Sequence, residues 1–505
     1  MDEAKVTPAF GEDAGGRAAW VGRTLILLLA AVLRLALLDL RPPHYDEGVN
    51  GYIADQLSRE HLYRYHPEVG HGPLTVYLVR AGEEMLGHNL WGLRISAVIF
   101  SVLTVGLCFR FDTVLGRRAA DLAALLMALS PTMTFVGRTA IGESALAFFV
   151  LLMLYGAARL TVRATFSARL ALVLGGAGAL AVKEVALLHD AALLMAAGVT
   201  LPWKGTGLKV TPLPESGSRR MGAWVAGQYL GLVLAAVALL WWLYSAGGRF
   251  PEAPGRLWQG IENWRRIGAG EHLKPWSYWL GLLLWDEPMF FLGVLVLPWM
   301  LWQGTAPARF LAGYSLAVLV CYSAVSYKTP WCLATLGVSL PLAGAAGICS
   351  GSPGLSRLGR WLAVLLLPFS LWNNLRLNLW AHSAPDAAQV YAATSPEIGA
   401  LLRVLERHAA TTPRGAEVRG KVFAAEPHPL PWLLRSFPCV EYRQTALPVT
   451  DYDSGFVVVE PSRLIEVRRH LKAKDYECQS IRWRMDQAPG AVFFHRQVFR
   501  EGTIE

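Results

Sequence analysis

The sequence predicts a polytopic α-helical membrane protein that ends in a small soluble α/β domain. Three observations carry this reading. Of 505 residues, 53% are hydrophobic and only 17% charged, against about 25% charged in ordinary soluble domains, so the apolar excess needs a non-aqueous home. The mean hydropathy is +0.34, and apolar stretches near the roughly 20 residues that cross a bilayer as helix recur along most of the chain. Nineteen Trp and sixteen Tyr suit the aromatic belts of the two membrane interfaces.

About eleven transmembrane helices are predicted, near 22–40, 91–110, 119–137, 144–161, 168–183, 185–202, 222–245, 288–303, 309–326, 331–349 and 359–378. An odd number puts the two termini on opposite sides. The positive-inside rule sets the orientation. Arg110, Arg117, Arg118, Arg159, Arg163, Arg169, Lys204, Lys209, Arg219, Arg220, Arg357 and Arg360 all fall in one set of loops. That set is cytoplasmic, and with it the N-terminal tail 1–21. The membrane domain is 22–378, and its first loop, 41–90, is extracytoplasmic. The basic stretch 246–276 is the exception to the rule. The polar, acidic N-terminus has no basic start or cleavage site, which argues against a removed signal peptide. The protein is expected in the cell membrane.

The net charge of +9 is spread in short clusters. A nucleic-acid partner calls for a basic face or stripe, and none is visible, so that class is set aside. Residues 379–505 change character. The runs Lys421-Val-Phe-Ala-Ala, Gly455-Phe-Val-Val-Val and Ala491-Val-Phe-Phe read as strands, and Pro396–His408 and Ser462–Lys472 as helices. This predicts an extracytoplasmic α/β domain. At about 125 residues it can bury its own core, and without a Gly-rich phosphate loop it is assigned no catalysis. Of the six Cys, Cys108, Cys321, Cys332 and Cys349 lie in apolar segments, while Cys439 and Cys478 in the tail are a disulfide or free thiols.

Five constellations carry candidate chemistry. The first is His44-Tyr45-Asp46-Glu47, directly after the first span. Charge at a membrane interface is costly unless it is paired or used. Adjacent residues cannot share one helix face, so one acid can face a cavity while the other fixes the loop or pairs with an Arg. A general base needs its carboxylate within hydrogen-bond reach of the proton it takes. The bland alternative is a helix cap, which needs only one acid. A divalent cation on Asp46 or Glu47 is the other role open to the pair. The rest of the loop holds His61, His66, His71 and His88 with Asp55, Glu60, Glu68, Glu83 and Glu84. Its His spacing is not that of a helical zinc site, and Gly51–Arg59 and Leu74–Leu86 read as amphipathic helices.

The second constellation is Gly137-Arg138 to Glu143, in the turn between spans three and four. The third is Lys183-Glu184, where a lysine between apolar helices suits a phosphate as a compact point charge. The fourth is Tyr327-Lys328-Thr-Pro-Trp331, either a headgroup contact or an aromatic-belt anchor. The fifth joins His272-Leu-Lys274-Pro-Trp276 to Trp285-Asp286-Glu287-Pro288 across a run too short to span the membrane, hence re-entrant. Asp286-Glu287 is the second-ranked acid pair. All five fall on the outer side. Carboxylates for acid–base work beside Arg and Lys for an anionic leaving group suggest transfer from a phosphate-linked donor. No nucleotide motif occurs, so that donor would be membrane-resident.

These residues resemble the C-type (GT-C) glycosyltransferases that use polyprenyl-phosphate sugars, in the branch of the protein O-mannosyltransferases and lipid A aminoarabinose transferases. Asp46-Glu47 matches that family's acid pair in the first extracytoplasmic loop. His71-Gly72-Pro73 matches its His-Pro-Pro-like segment, Arg138 with Glu143 its third turn, and Lys183 its lysine after the fifth span. The order of His-Tyr-Asp-Glu-Gly, His-Gly-Pro, Tyr-Lys-Thr-Pro-Trp and Pro429-Leu-Pro-Trp-Leu-Leu-Arg435 is most similar to a prokaryotic flippase-activity-associated subgroup linked to archaeal-type N-glycosylation. The tail departs from the β-trefoil insert of eukaryotic members.

The resemblance implies an inverting transfer from a polyprenyl-phosphate sugar to a glycan, lipid or protein acceptor. Asp46 is then the general base, with Glu47 beside it as the second catalytic acid. Arg138, Lys183 and Lys328 bind the donor phosphate. His44, Tyr45, His71, Glu143, Glu184, Asp286 and Glu287 support them. No cofactor beyond that candidate cation is implied. The competing classes are a lipid-linked sugar flippase, for which no internal repeat is visible, and a non-catalytic partner in glycan assembly.

Overall fold

A computed structural model describes residues 12–60, 63–67, 71–200, 218–270, 273–384, 387–390, 392–444 and 454–499. His61, Glu68, His272 and the inner-loop bases Lys204 and Lys209 lie outside the described residues. Most of the rest is a bundle of apolar helices. Among the described residues, four helices are long and apolar enough to cross a membrane: Leu90–Leu115, Glu143–Leu160, Trp224–Tyr244 and Ala306–Ala324. Three bent pairs raise the number to seven if each is one span. One pair, Tyr278–Trp285 with Pro288–Gln303, turns by 119° at Asp286-Glu287, where the sequence predicts a re-entrant run.

Local chemistry sets the helix ends. Asn89 caps the helix Leu90–Cys108 by accepting from Gly92 N–H at 3.0 Å, and Thr165 caps Phe166–Val182 by accepting from Ala168 N–H at 3.2 Å. Each satisfies one of the orphan donors of a helix start. The first helix, Glu12–Leu35, begins well before the predicted span. Between apolar helices in lipid, packing replaces the hydrophobic effect, and small residues let backbones approach closely. Gly175 is such a point, since a Cβ there would lie 2.3 Å from Met153 N of the neighbouring helix Glu143–Leu160. None of the apolar window of Trp224–Tyr244 is buried, so this helix lies on the outside of the bundle.

The tail forms a mixed five-stranded sheet of β1 (Gly420–Phe423), β2 (Val440–Arg443), β3 (Phe456–Val459), β4 (Tyr476–Ile481) and β5 (Gly490–His495), in the order β2-β1-β3-β5-β4. β1 runs parallel to β2 and β3, and β5 antiparallel to β3 and β4. Both faces of the centre are covered. Val422, Phe456 and Val458 pack under Ile398, Leu401 and Leu405 of the helix Ile398–Thr411, and Phe423, Val457 and Val459 pack against Val467 of the helix Leu464–His470. That explains why β1 and β3 are buried along their whole length and why β3 is apolar without alternation. β2 and β4 are the half-exposed edges, and the sequence reading missed both.

The edges decide the cysteine question. Cys439 adjoins β2 and Cys478 lies in β4, four strand spacings apart, or about 19 Å at about 4.8 Å per spacing. A disulfide needs Cα atoms within about 7 Å. Both thiols are free and exposed, which corrects the disulfide alternative.

The tail sits on the first loop. Trp432 lies against Gly51 so closely that a Cβ on Gly51 would fall 2.4 Å from the indole, and Gly48 meets Pro429 in the same way. Trp432 Nε1–H donates to Glu83 Oε1 at 3.2 Å, the Arg435 guanidinium donates to the His88 carbonyl, and the Thr394 hydroxyl to the Pro43 carbonyl. The Pro429–Arg435 motif is thus the clasp between domain and loop. Gly51→Val is expected to cost about 1–3 kcal/mol by overpacking, read as a lower melting temperature of the purified protein. A variant as stable as wild type would show that the contact is not close-packed.

Candidate active site

The helix Tyr45–Glu60 places Asp46 and Glu47 in its first turn, where exposed backbone N–H groups favour carboxylates. Glu47 turns inward and is fully buried. Its Oε1 accepts from Arg94 Nε and from Ala140 N–H, and its Oε2 from Arg94 Nη2 and from His44 N–H, all at 2.8 Å. Burial opposes this charge, but the Arg94 charge and hydrogen bonds, then Arg41 and the His44 amide, override it and lower the carboxyl to about 2. Arg94 comes from the helix Leu90–Cys108. Its other N–H bonds go to the carbonyls of Leu38, Arg41 and Pro42. One guanidinium thereby ties the end of the first helix, the loop helix and the fourth element of the bundle together.

This corrects the catalytic assignment of Glu47. An ionised carboxylate has about four acceptor positions, and all four are filled. No lone pair is left for a proton or a cation, so Glu47 is a positioning residue.

Asp46 is different. It is only partly buried, its backbone N–H donates to His44 Nδ1 at 3.1 Å, and among the described residues no side chain bonds to its carboxylate. Lys183 and His428 both lie within its electrostatic reach. Lys183, the first residue past the helix Phe166–Val182, pairs with Glu143 at 2.6 Å, and the Glu143 side chain is 1% exposed. Glu184 accepts from the Tyr65 hydroxyl at 2.7 Å and lies 3.4 Å from His71 Nδ1. Gly72 lets His71-Gly72-Pro73 rest directly on this turn, since a Cβ there would meet the Ala181 carbonyl at 2.3 Å. Constellations far apart in sequence thus meet around Asp46, Glu143, Lys183 and Glu184.

Arg138 does not join them. Its Nη1 donates to the carbonyls of Leu33, Arg34 and Ala36, and its Nη2 to that of Leu37. It satisfies the orphan carbonyls at the end of the first helix, which corrects its assignment to the donor phosphate. Lys328 lines a cavity of about 290 Å³ with Lys274, Tyr278, Pro330 and Asp486, and donates to the carbonyls of Lys274 and Val325. Its turn runs from this cavity to Trp331, which meets the His44 ring edge-on at 5.1 Å. A larger cavity of about 460 Å³ shares Ala387 and Ala388 with it and is lined by Asp286, Arg376, Asn373 and Trp372. Asp46 is in the lining of neither. Glu287 points away from both into the bundle, where its Oε1 accepts from the Ser130 hydroxyl at 2.7 Å and from Thr132 N–H at 2.6 Å. The Asp286-Glu287 pair is therefore split between a cavity and the core.

Two residues escaped the sequence reading. Arg94 had a signal, as the one charge in Leu90–Cys108, and a charge in an apolar span implies a partner. His428 had none. It reaches the site from the tail, edge-on to Tyr45 at 5.8 Å and Tyr52 at 5.7 Å. Burial lowers its pKa to about 4, against the pull of Asp46 and Glu426.

The helical bundle, with one pinned and one open acid on its first loop, has counterparts of the same global fold among solved structures. The chain matches ArnT from Cupriavidus metallidurans in the apo state with a TM-score of 0.64 and 17% identity, covering 96% of this chain and 99% of that one. It matches the same protein bound to undecaprenyl phosphate equally well, at 16% identity over 94% and 98%. An oligosaccharyltransferase from Archaeoglobus fulgidus, solved with zinc and sulfate, matches with a TM-score of 0.50 and 14% identity over 93% and 72%. Residues 70–242 match the family described as dolichyl-phosphate-mannose-protein mannosyltransferase. The polyprenol-phosphate-mannose–protein mannosyltransferase of Mycobacterium tuberculosis is 29% identical over 140 residues, which is 26% of this chain and 27% of that protein. The chain thus matches only about a quarter of the length of its curated relatives. The chain shares the fold of these solved structures, and its residues 70–242 resemble that mannosyltransferase family.

The buried pair has a measurable signature. Glu47→Gln leaves Arg94 without its counter-ion and is expected to cost about 3–5 kcal/mol. Because the folded carboxyl sits near 2, below its ordinary 4.5, its stabilisation is complete above pH 4.5 and is lost as pH falls toward 2. Melting temperatures between about pH 5 and pH 3 should converge for wild type and Glu47→Gln. A constant gap across that range would contradict the assignment.

Proposed function

We propose that this protein is a membrane glycosyltransferase that moves a sugar from a polyprenyl-phosphate donor to an acceptor hydroxyl on the extracytoplasmic face, with Asp46 as the general base. The observation that carries the proposal is the contrast between the two adjacent acids. Glu47 is spent on Arg94 and two backbone amides, while the Asp46 carboxylate accepts from no side chain among the described residues and lies within electrostatic reach of Lys183. The lipid-phosphate donor is supported by the undecaprenyl phosphate bound in ArnT and by the polyprenol-phosphate-mannose in the name of the mycobacterial relative.

In the proposed reaction Asp46 takes the proton of the acceptor hydroxyl. The acceptor oxygen bonds to the anomeric carbon from the face opposite the phosphate, and the bond to the phosphate oxygen breaks with its electron pair. Configuration at that carbon inverts. One base suffices because polyprenyl phosphate leaves as a stable anion, without the acid partner of glycoside hydrolysis. Lys183 and Lys328 stabilise the developing phosphate charge. Glu143 orients Lys183, and Glu184 orients His71. The acceptor is a glycan, lipid or protein.

The same reading includes eleven spans, a cytoplasmic N-terminus, and the first loop and residues 379–505 outside. The rule of basic inner loops supports it, as does the seating of the tail on the loop that carries Asp46. The test uses the full-length protein in membranes supplied with radiolabelled undecaprenyl-phosphate mannose, followed by label transfer and release of undecaprenyl phosphate. Asp46→Asn is expected to reduce both about 10²–10⁴-fold, the usual contribution of a general base. Full transfer by Asp46→Asn would overturn the proposal.

A further inference from the structure

A second cluster of ligating side chains lies on the first loop, away from Asp46. Asp55 comes from the helix Tyr45–Glu60, Glu83 from the helix Pro73–Leu86, and His88 from the turn that follows. His88 Nδ1 lies 3.3 Å from Asp55 Oδ1 and 3.6 Å from Glu83 Oε2. One ligand atom from each lies within 4.8 Å of the others. The Glu83 side chain has no exposed surface. Its Oε1 accepts from the Trp432 indole at 3.2 Å, but its Oε2, on the His88 side, receives no hydrogen bond. A buried carboxylate oxygen without a donor is costly, and here it is aimed at a second carboxylate and an imidazole.

We infer that Asp55, Glu83 and His88 form a zinc site that pins the first-loop helices together beneath the tail. The donor set is one imidazole nitrogen and two carboxylate oxygens, which zinc accepts at about 2.0–2.2 Å. Ligands at that radius in a tetrahedron stand about 3.4 Å apart, close to the two separations that His88 makes. Mg²⁺ and Ca²⁺ prefer all-oxygen sites, so the imidazole selects against them. A dication would neutralise the two acids together. His88 is half-exposed, which leaves an entry path and room for water as the fourth ligand.

The position gives the site a role. The helix carrying Asp55 starts at Asp46, and the helix carrying Glu83 starts at the His71-Gly72-Pro73 turn on Glu184. The ion would fix the mutual register of these two helices, while the Glu47–Arg94 pair ties the start of the first of them to the helix Leu90–Cys108. Trp432 supports the site through Glu83, and Arg435 lies over the Trp432 ring at 4.0 Å and donates to the His88 carbonyl. The tail thus closes over the ion, so metal occupancy and tail docking are linked.

The test uses full-length protein in detergent, stripped with chelator and dialysed against zinc chloride. Elemental analysis should find one zinc per chain, with a rise in melting temperature over the stripped protein. X-ray absorption of the zinc form should show nitrogen and oxygen ligands and no sulfur. His88→Ala removes a half-exposed side chain and should fold normally without zinc or the thermal shift. Glu83→Gln should behave in the same way, and Trp432→Phe should weaken binding about 10–100-fold as a supporting contact is lost. Absence of stoichiometric zinc from wild type would overturn the inference. So would sulfur ligation by any of the six cysteines, or zinc binding by His88→Ala equal to wild type.

Discussion

The bidentate pair between Glu47 and Arg94 is the constraint on which the site depends. A buried ion pair is poor evidence for stability as such, because desolvation offsets much of the attraction. Its value here is geometric. Four bonds to one carboxylate and three carbonyls on one guanidinium fix where the first loop helix starts and which way its first turn faces. Since adjacent helical residues point about 100° apart, pinning Glu47 inward dictates that Asp46 faces elsewhere. The open acid is oriented by its neighbour's burial.

Other buried charges serve the same end. Arg34 donates to the Ser101 hydroxyl and to carbonyls of Ala30, Met127 and Ala128, and Arg138 gathers four carbonyls at the end of the first helix. In a medium without water, backbone groups freed at helix ends must find donors inside the protein. Arginine, with five N–H groups and a planar fork, supplies several from one side chain. Lysine is used differently. Lys183 meets one carboxylate and Lys328 two carbonyls, which leaves compact point charges suited to a phosphate.

The tail domain belongs to the site architecture. The Pro429–Arg435 clasp, His428 and Arg484 all reach the first loop, with Arg484 over the Tyr45 ring at 4.6 Å. A domain with no catalytic motif of its own therefore packs on the loop that carries Asp46 and Glu47.

Much of this was legible in the sequence. Long apolar runs, the polar tail with its three central strands, and the acid pair after the first span follow from composition and periodicity alone, because burial in lipid or in a sheet centre leaves a local imprint. The edge strands β2 and β4 left none, being half-exposed and short. The roles of Glu47 and Arg138 were also hidden. An acid used as a ligand for Arg94 and an acid open to solvent look alike in a sequence, and so do an arginine for phosphate and one that caps a helix. Sequence by itself determined that charges would be concentrated between the apolar helices of a membrane protein, with acids clustered in the first loop. Only the tertiary structure decided which of them are spent on each other and which stay open, because hydrogen-bond valence is filled by partners some 40 to 350 residues away.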